Sequence, residues 1–293
     1  MNKYFVERCI LHLKEKGFFS FFKNSLNHIF YILSPAKVGE FPFSYLFKKK
    51  RVLNKRFIKK HLLNFNKPTI ERYFNYYLDT SKINDKPIVY SFGIGGQIKF
   101  EESIAQKFKD SKIYCYDPTA KKFIDNYQGP KNIELFPLGL WKEDKKINFF
   151  HPNDKFANAS ITYNFETEGQ YKKEYQCHKL KTLITKNNHS KIDILKIDID
   201  ADIIDLMEDI LKDQIFPTQI AVEFDFNFAV EFDLTLFDTD NFSKKQEEEY
   251  RLCLNRLANL INKMKTHNYQ CFNMHRVTMP YSSIEVLFIK NIN

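Results

Sequence analysis

The chain has 293 residues, 43% of them hydrophobic, so it can bury one large core or a core with an appendage. Its formal net charge of +9 is uneven: residues 1–86 are net +12 and residues 87–293 are net −3. Five scattered cysteines with no C-x-x-C pair suggest neither a disulfide framework nor a cysteine zinc site, and a reducing cytoplasm is the simplest compartment.

The chain opens on helical periodicity. Helices are expected over 3–16, 18–33, 50–63 and 68–79, with a turn at Ser34-Pro35. The apolar stretch Gly17–Leu33 is too short and too polar to span a bilayer, and no small-residue cleavage site follows it. As a helix it places Phe18, Phe22, Leu26, Ile29, Phe30 and Leu33 on one face. The densest basic run follows, from Lys48 to Lys60. Such a segment packs on a protein core, or rests through 17–60 on an anionic membrane at its inner face. Residues 1–86 therefore read as a basic helical region, and Pro87 opens an α/β domain over 87–293.

Strands are expected there over 88–92, 112–117, 133–137, 192–198, 218–224, 268–275 and 282–289. Helices are expected near 98–109, 119–126, 201–212 and 244–266. Alternation through residue 224 implies a parallel sheet. The last two strands meet at a turn, Pro280–Ser283, with no helix between them, so one strand is antiparallel. The expected fold is α/β and Rossmann-like: a mostly parallel seven-stranded sheet with a C-terminal antiparallel hairpin. Residues 139–178 form an insertion with strand-like runs at Lys146–Phe150, Ser160–Tyr163 and Tyr175–His178, placed to shape an acceptor pocket.

The segment Ile88–Gln97 carries the most chemistry. An apolar run ends in Gly93, Gly95 and Gly96, a helix follows, and the next apolar run ends in Asp117. Glycines let backbone approach an adenosyl ligand, and an acid about 20 residues on accepts bonds from its ribose hydroxyls. A pyrophosphate fingerprint needs a third glycine where Ile98 stands. That substitution and the terminal hairpin argue against a nicotinamide-dependent oxidoreductase and for S-adenosylmethionine.

Carboxylates gather at two further strand ends: Asp198 and Asp200 after Ile192–Ile197, and Glu223 and Asp225 after Gln219–Val222. In an open α/β sheet, ligands bind outside such ends. One carboxylate could take a proton from an acceptor hydroxyl. Alternatively Asp198, Glu223 and Asp225 could hold Mg²⁺. Asp200 can equally serve the helix that follows it. Lys196 shares a strand face with Asp198 and either orients a substrate oxygen or pairs with an acid. His151 and His178 are bases or, more simply, structural. The basic N-terminal third keeps a nucleic-acid methyltransferase as an alternative. The amino-methylating D/N-P-P-Y/F signature is absent, however; Asp198–Ile–Asp–Ala201 stands there.

Four motifs together resemble the FkbM-type methyltransferases: Val89–Gly95 with Phe100–Glu102, Tyr116–Thr119, Leu195–Ala201 and Val222–Asp225. The likeness runs from Pro87 to Asn293. The family usually reads L-K-I-D-x-E-G where this chain has Asp200 and Ala201, and often V-E-F-H where it has Asp225. The resemblance implies an S-adenosylmethionine site and methylation of hydroxyls of sugars or natural products, and the leading expectation is O-methylation of a sugar or glycan hydroxyl. Many Rossmann-like methyltransferases also place an acid two residues before the first glycine, to reach the methionine amine. Here Ser91 stands there, and Glu101 or Glu102 is the substitute nearest in sequence.

Overall fold

The structure is a computed structural model, and it describes residues 48–65, 67–151, 171–225, 244–274 and 283–291. The expected helices at 3–16 and 18–33 and the run Ser160–Tyr163 lie outside these residues.

Helix α1 is Lys48–His61. Strands β1 (Ile70–Tyr73) and β2 (Tyr76–Asp79) form an antiparallel hairpin. This corrects the helix expected over 68–79. Ile70, Tyr73 and Tyr77 fit a helical spacing, but Phe74 takes a left-handed φ of 52° and reverses the chain.

The central sheet has seven strands in the order β11-β12-β10-β9-β3-β4-β5. Its members are β3 (Ile88–Phe92), β4 (Lys112–Tyr116), β5 (Ile133–Phe136), β9 (Ile194–Ile197), β10 (Gln219–Asp225), β11 (Tyr269–Asn273) and β12 (Ser283–Lys290). The five from β3 to β10 run parallel, and β12 lies antiparallel to both β10 and β11. This is the α/β, Rossmann-like architecture expected from the sequence, a mostly parallel seven-stranded sheet with a C-terminal antiparallel hairpin. The order reverses between β3 and β9, the switch point at which open α/β sheets bind ligands.

Helices follow the strands: α2 (Lys99–Lys107), a short α3 (Lys121–Ile124), α4 (Leu180–Lys186), α5 (Ile203–Lys212) and α6 (Lys244–Thr266). Strands buried on both faces feed two core layers by period-two alternation. Tyr90, Phe92, Leu195, Ile197, Val222 and Phe288 face α1, α4, α5 and α6. Val89, Cys115, Ile194, Ala221 and Leu287 face α2 and the β1–β2 hairpin. The described residues ahead of Pro87 thus contribute to both layers. Leu53 and Phe57 of α1 lie in the first, and Tyr73, Tyr76 and Leu78 in the second.

Two clasps fix these earlier elements. Buried Gln219 bonds the Asp79 backbone twice, accepting from N–H at 2.7 Å and donating to C=O at 2.9 Å. Leu63, just past α1, bridges edge strand β11 at Phe272 and covers an otherwise unpaired edge.

The insertion holds a second sheet in the order β6-β8-β7, with β6 (Gly139–Leu140), β7 (Lys145–His151) and β8 (Tyr171–His178). Its sole tryptophan, Trp141, donates its backbone N–H to the His178 carbonyl at 2.9 Å. No helix among the described residues is long and apolar enough to cross a membrane.

Candidate active site

A cleft of about 240 Å³ opens at the switch point. The glycine loop contributes Gly93, Ile94, Gly95 and Gln97; the tip of β4 contributes Asp117, Pro118 and Thr119. Gly139, Leu140 and Phe149 of the insertion form another wall, and Asp198, Ile199 and Asp200 close the side beyond β9. The insertion therefore shapes the same cleft as the glycines.

The three glycines divide into two roles. All have positive φ: 78° at Gly93, 54° at Gly95 and 80° at Gly96. A Cβ at Gly93 would sit 1.6 Å from the Asp198 carbonyl oxygen, so this residue lets β3 and the end of β9 touch. A Cβ at Gly95 or Gly96 would meet nothing within 4 Å. Those two keep bare backbone facing open space, which suits close approach of a ligand.

Asp117 stands where its spacing from the glycines put it. One carboxylate oxygen accepts from the amides of Ile94 (3.1 Å) and Gly95 (2.8 Å). The other accepts from the Thr119 amide (2.8 Å) and hydroxyl (2.7 Å). These are all four lone-pair sites of a carboxylate. Asp117 thus shapes the glycine loop, and a ribose bond there must replace one of these.

Glu101 and Glu102 do not line the cleft. Glu101 is 2% exposed and accepts a very short hydrogen bond from the Ser91 hydroxyl. Burial raises its pKa, partly offset by the charge of Lys196. Ser91 and Glu101 thus form one buried pair, not a free acid aimed at a ligand. His178 is bonded to Asp144 in the insertion and lies apart from the cleft. The side chain of His151 lies outside the described residues.

Lys196 is 4% exposed and central. Its Nζ donates to the carbonyl of Gly93 at 2.6 Å and lies 3.3 Å from Asp198 Oδ2. The same Oδ2 accepts from the Tyr76 hydroxyl at 2.5 Å. Crowding by protein opposes ionisation of Asp198, but the Lys196 charge and the Tyr76 bond outweigh it and hold the carboxyl below its usual pKa. Its neighbours go the other way. Burial and then the charges of Asp225, Asp198 and Asp117 raise Asp200 to about 7. Burial and Asp198 raise Glu223 to about 8 and Glu285 to about 7. Asp198 is the ionised member of a group of acids held near neutrality, the division of environments that separates a base from its neighbours.

Among the described residues no group of three histidines, cysteines or acids is placed to hold a metal ion. The strand register does bring Glu223 beside Asp198, as the sequence suggested. But Tyr76 and Lys196 already occupy Asp198, and Ser283 bonds Glu223. The cation beside Asp198 is a lysine.

Sequence reasoning missed Tyr76, whose segment read as helix; it singled out the segment that holds Gln97 and the insertion that holds Leu140 and Phe149 without naming these three as cleft walls. The aromatic run Tyr73-Phe-Asn-Tyr-Tyr77 was the available signal, since such residues favour strands.

No protein-family model matches the chain, and no curated protein matches it. Solved structures do resemble it. One is the fibrillarin pre-rRNA processing protein of Methanococcus jannaschii, 10% identical, covering 71% of this chain and 68% of that one, with a TM-score of 0.38. Another is the O-methyltransferase TomG of Streptomyces achromogenes, involved in tomaymycin synthesis: 8% identity, 83% and 90% coverage, TM-score 0.36. A third is the methyltransferase PaMTH1 of Podospora anserina: 10% identity, 70% and 72% coverage, TM-score 0.34. The likeness is distant. No role of a residue here derives from those proteins; the site stands on its own geometry.

Proposed function

We propose that the cleft binds S-adenosylmethionine and that the chain is an O-methyltransferase acting on a hydroxyl of a sugar or glycan precursor. The observation that carries this is the pairing of Gly95, bare backbone over an open cleft, with a strand-end carboxylate kept ionised across the switch point; Gly96 beside it is open but does not line the cleft. Gly93, Gly95, Gly96 and Asp117 would hold the cofactor, with Leu140 and Phe149 as apolar wall. Bound there, the cofactor supplies a methyl group activated by a sulfonium. The chain's own work is to orient the acceptor oxygen, exclude water and take the hydroxyl proton. Asp198 takes that proton; Lys196 keeps it ionised and ties it to the Gly93 carbonyl. Asp200, raised to about 7, is the second carboxyl able to receive a proton at the cleft. The FkbM-like motifs and the acceptor-only character of ionised carboxylates support a polyhydroxyl acceptor.

Only a ligand that binds the folded chain raises its melting temperature. S-adenosylmethionine is expected to raise it and NAD is not. Asp117→Ala should weaken S-adenosylmethionine binding by about 1.5–3 kcal/mol in calorimetry. Asp198→Asn should keep that binding and lose turnover. A shift with NAD alone would overturn the reading.

A specific observation supports an anionic surface as a further partner. Lys55, Arg56, Lys59 and Lys60 of α1 are all exposed, while Leu53 and Phe57 pack inward. Region 17–60 is proposed to rest on the inner face of an anionic membrane, the exposed basic face of α1 turned outward while its apolar face packs on the α/β core. Full-length protein should sediment with phosphatidylserine vesicles, and less so at high salt. Binding to RNA with a steep salt slope, and none to vesicles, would favour nucleic acid instead.

A further inference from the structure

The β1–β2 hairpin precedes the α/β part, yet it reaches the strand ends of the sheet. The ring of Tyr76 packs edge-on against Phe100 of α2, centroids 5.1 Å apart. Its face covers Lys196, with Nζ 5.4 Å from the ring centroid. Its hydroxyl ends 2.5 Å from Asp198 Oδ2. The hairpin does not depend on that bond for its position, because the Gln219 clasp holds Asp79 three residues further on.

We propose that Tyr76 is a positioning residue of the site: with Lys196 it fixes the Asp198 carboxylate in one orientation and in its ionised form, so that the hairpin completes the proton-accepting end of the cleft. This rests on the methyl-transfer reading for its catalytic consequence, though not for the contact itself. Positioning matters here because the site is crowded with competing acids. Asp198 is faced by Glu101 from α2, Asp200 from its own strand end, Glu223 from β10 and Glu285 from β12, while Asp225 of β10 bears on Asp200 and Glu223. A carboxylate amid four others would share or lose its charge unless specific donors selected it. Tyr76 and Lys196 both act on Oδ2 of this one residue, and that selection marks Asp198 out as the base among its neighbours.

The test is Tyr76→Phe in the full-length chain, with Tyr77→Phe as control. Tyr77 lies on the other face of the strand, its ring 4.7 Å from that of Phe65. The hydroxyl favours the ionised carboxylate, so its loss moves the Asp198 titration to higher pH. Carbon-13 NMR of labelled aspartate carboxyls, assigned with Asp198→Asn, reads this without any turnover. The shift should appear in Tyr76→Phe and not in Tyr77→Phe. In methyl transfer, Tyr76→Phe should lower kcat about tenfold near pH 7, the scale of one charge-assisted hydrogen bond. The acid limb of its rate profile should move up in pH, with the KM for S-adenosylmethionine unchanged. An unmoved Asp198 titration overturns the proposal, whatever the enzyme proves to do. A moved titration in a chain that neither binds S-adenosylmethionine nor transfers a methyl group supports the Tyr76 contact and overturns the methyl-transfer reading.

Discussion

Gly93→Ala is expected to abolish the soluble fold or lower the melting temperature by about 10 °C or more. The added Cβ would lie 1.6 Å from the Asp198 carbonyl oxygen and 2.6 Å from its carbon. These are backbone atoms, so no side chain can swing aside. The strands cannot simply part, because the Asp198 amide donates to the Phe92 carbonyl at 3.1 Å and the Gly93 amide to Tyr116 at 3.0 Å. A φ of 78° adds strain for any side chain. The cost exceeds about 4 kcal/mol, beyond the range of most single substitutions. Gly95→Ala is the internal comparison. It meets nothing within 4 Å and carries only the strain of its φ of 54°, about 1–2 kcal/mol. Thermal denaturation of the two variants decides the matter. A Gly93→Ala protein melting within a few degrees of the parent would refute the close contact between β3 and the end of β9.

Lys196→Met should destabilise the chain by about 3 kcal/mol at pH 8 and by clearly less at pH 5. Met keeps most of the volume, so cavity formation is a small part of the loss. What goes is the buried cation among Asp198, Glu101 and the carbonyls of Phe92 and Gly93. Removing one partner of a buried pair costs about 3–5 kcal/mol, and the lower end applies because the Asp198 side chain is 39% exposed. The pH dependence follows from the acids left behind. Without the lysine, Asp198 and Glu101 in the folded state titrate above their unfolded values. The folded state then holds protons that the unfolded state has released, so stability falls as pH rises above about 4 to 5. At pH 5 that part of the penalty has barely begun, and what remains is the loss of the parent's Lys196–Asp198 pairing and of the carbonyl bonds. Urea unfolding at the two pH values measures it, and an equal loss at both would remove the charge argument. The glycine loop should also loosen, since it loses the 2.6 Å bond at Gly93.

The central sheet was legible because parallel strands buried on both faces write themselves as apolar runs, as at Ile88–Phe92 and Ile194–Ile197. The helix over 244–266 was legible over its full length from its period. The hairpin at 70–79 was not. Its turn uses Phe74 at positive φ rather than a glycine, so no turn signal marks it. Its stability comes from Gln219, 140 residues away, which no local pattern encodes. Helix α4 was missed as well, being seven residues long without a side-chain cap. In the site, strand-end acids could be placed by register, but which of them is already bonded could not. The partner came from Tyr76, on the element the sequence misread, which joins Lys196 at Asp198.

Trp141 is the chain's one tryptophan, and it directly follows Leu140, a residue of the cleft wall. Indole emission shifts with local polarity and can be excited at the red edge, where the sixteen tyrosines hardly absorb. The fold has therefore placed a single intrinsic fluorophore beside the space a ligand would fill, and wetting or drying of that wall can be followed by light in the unlabelled chain.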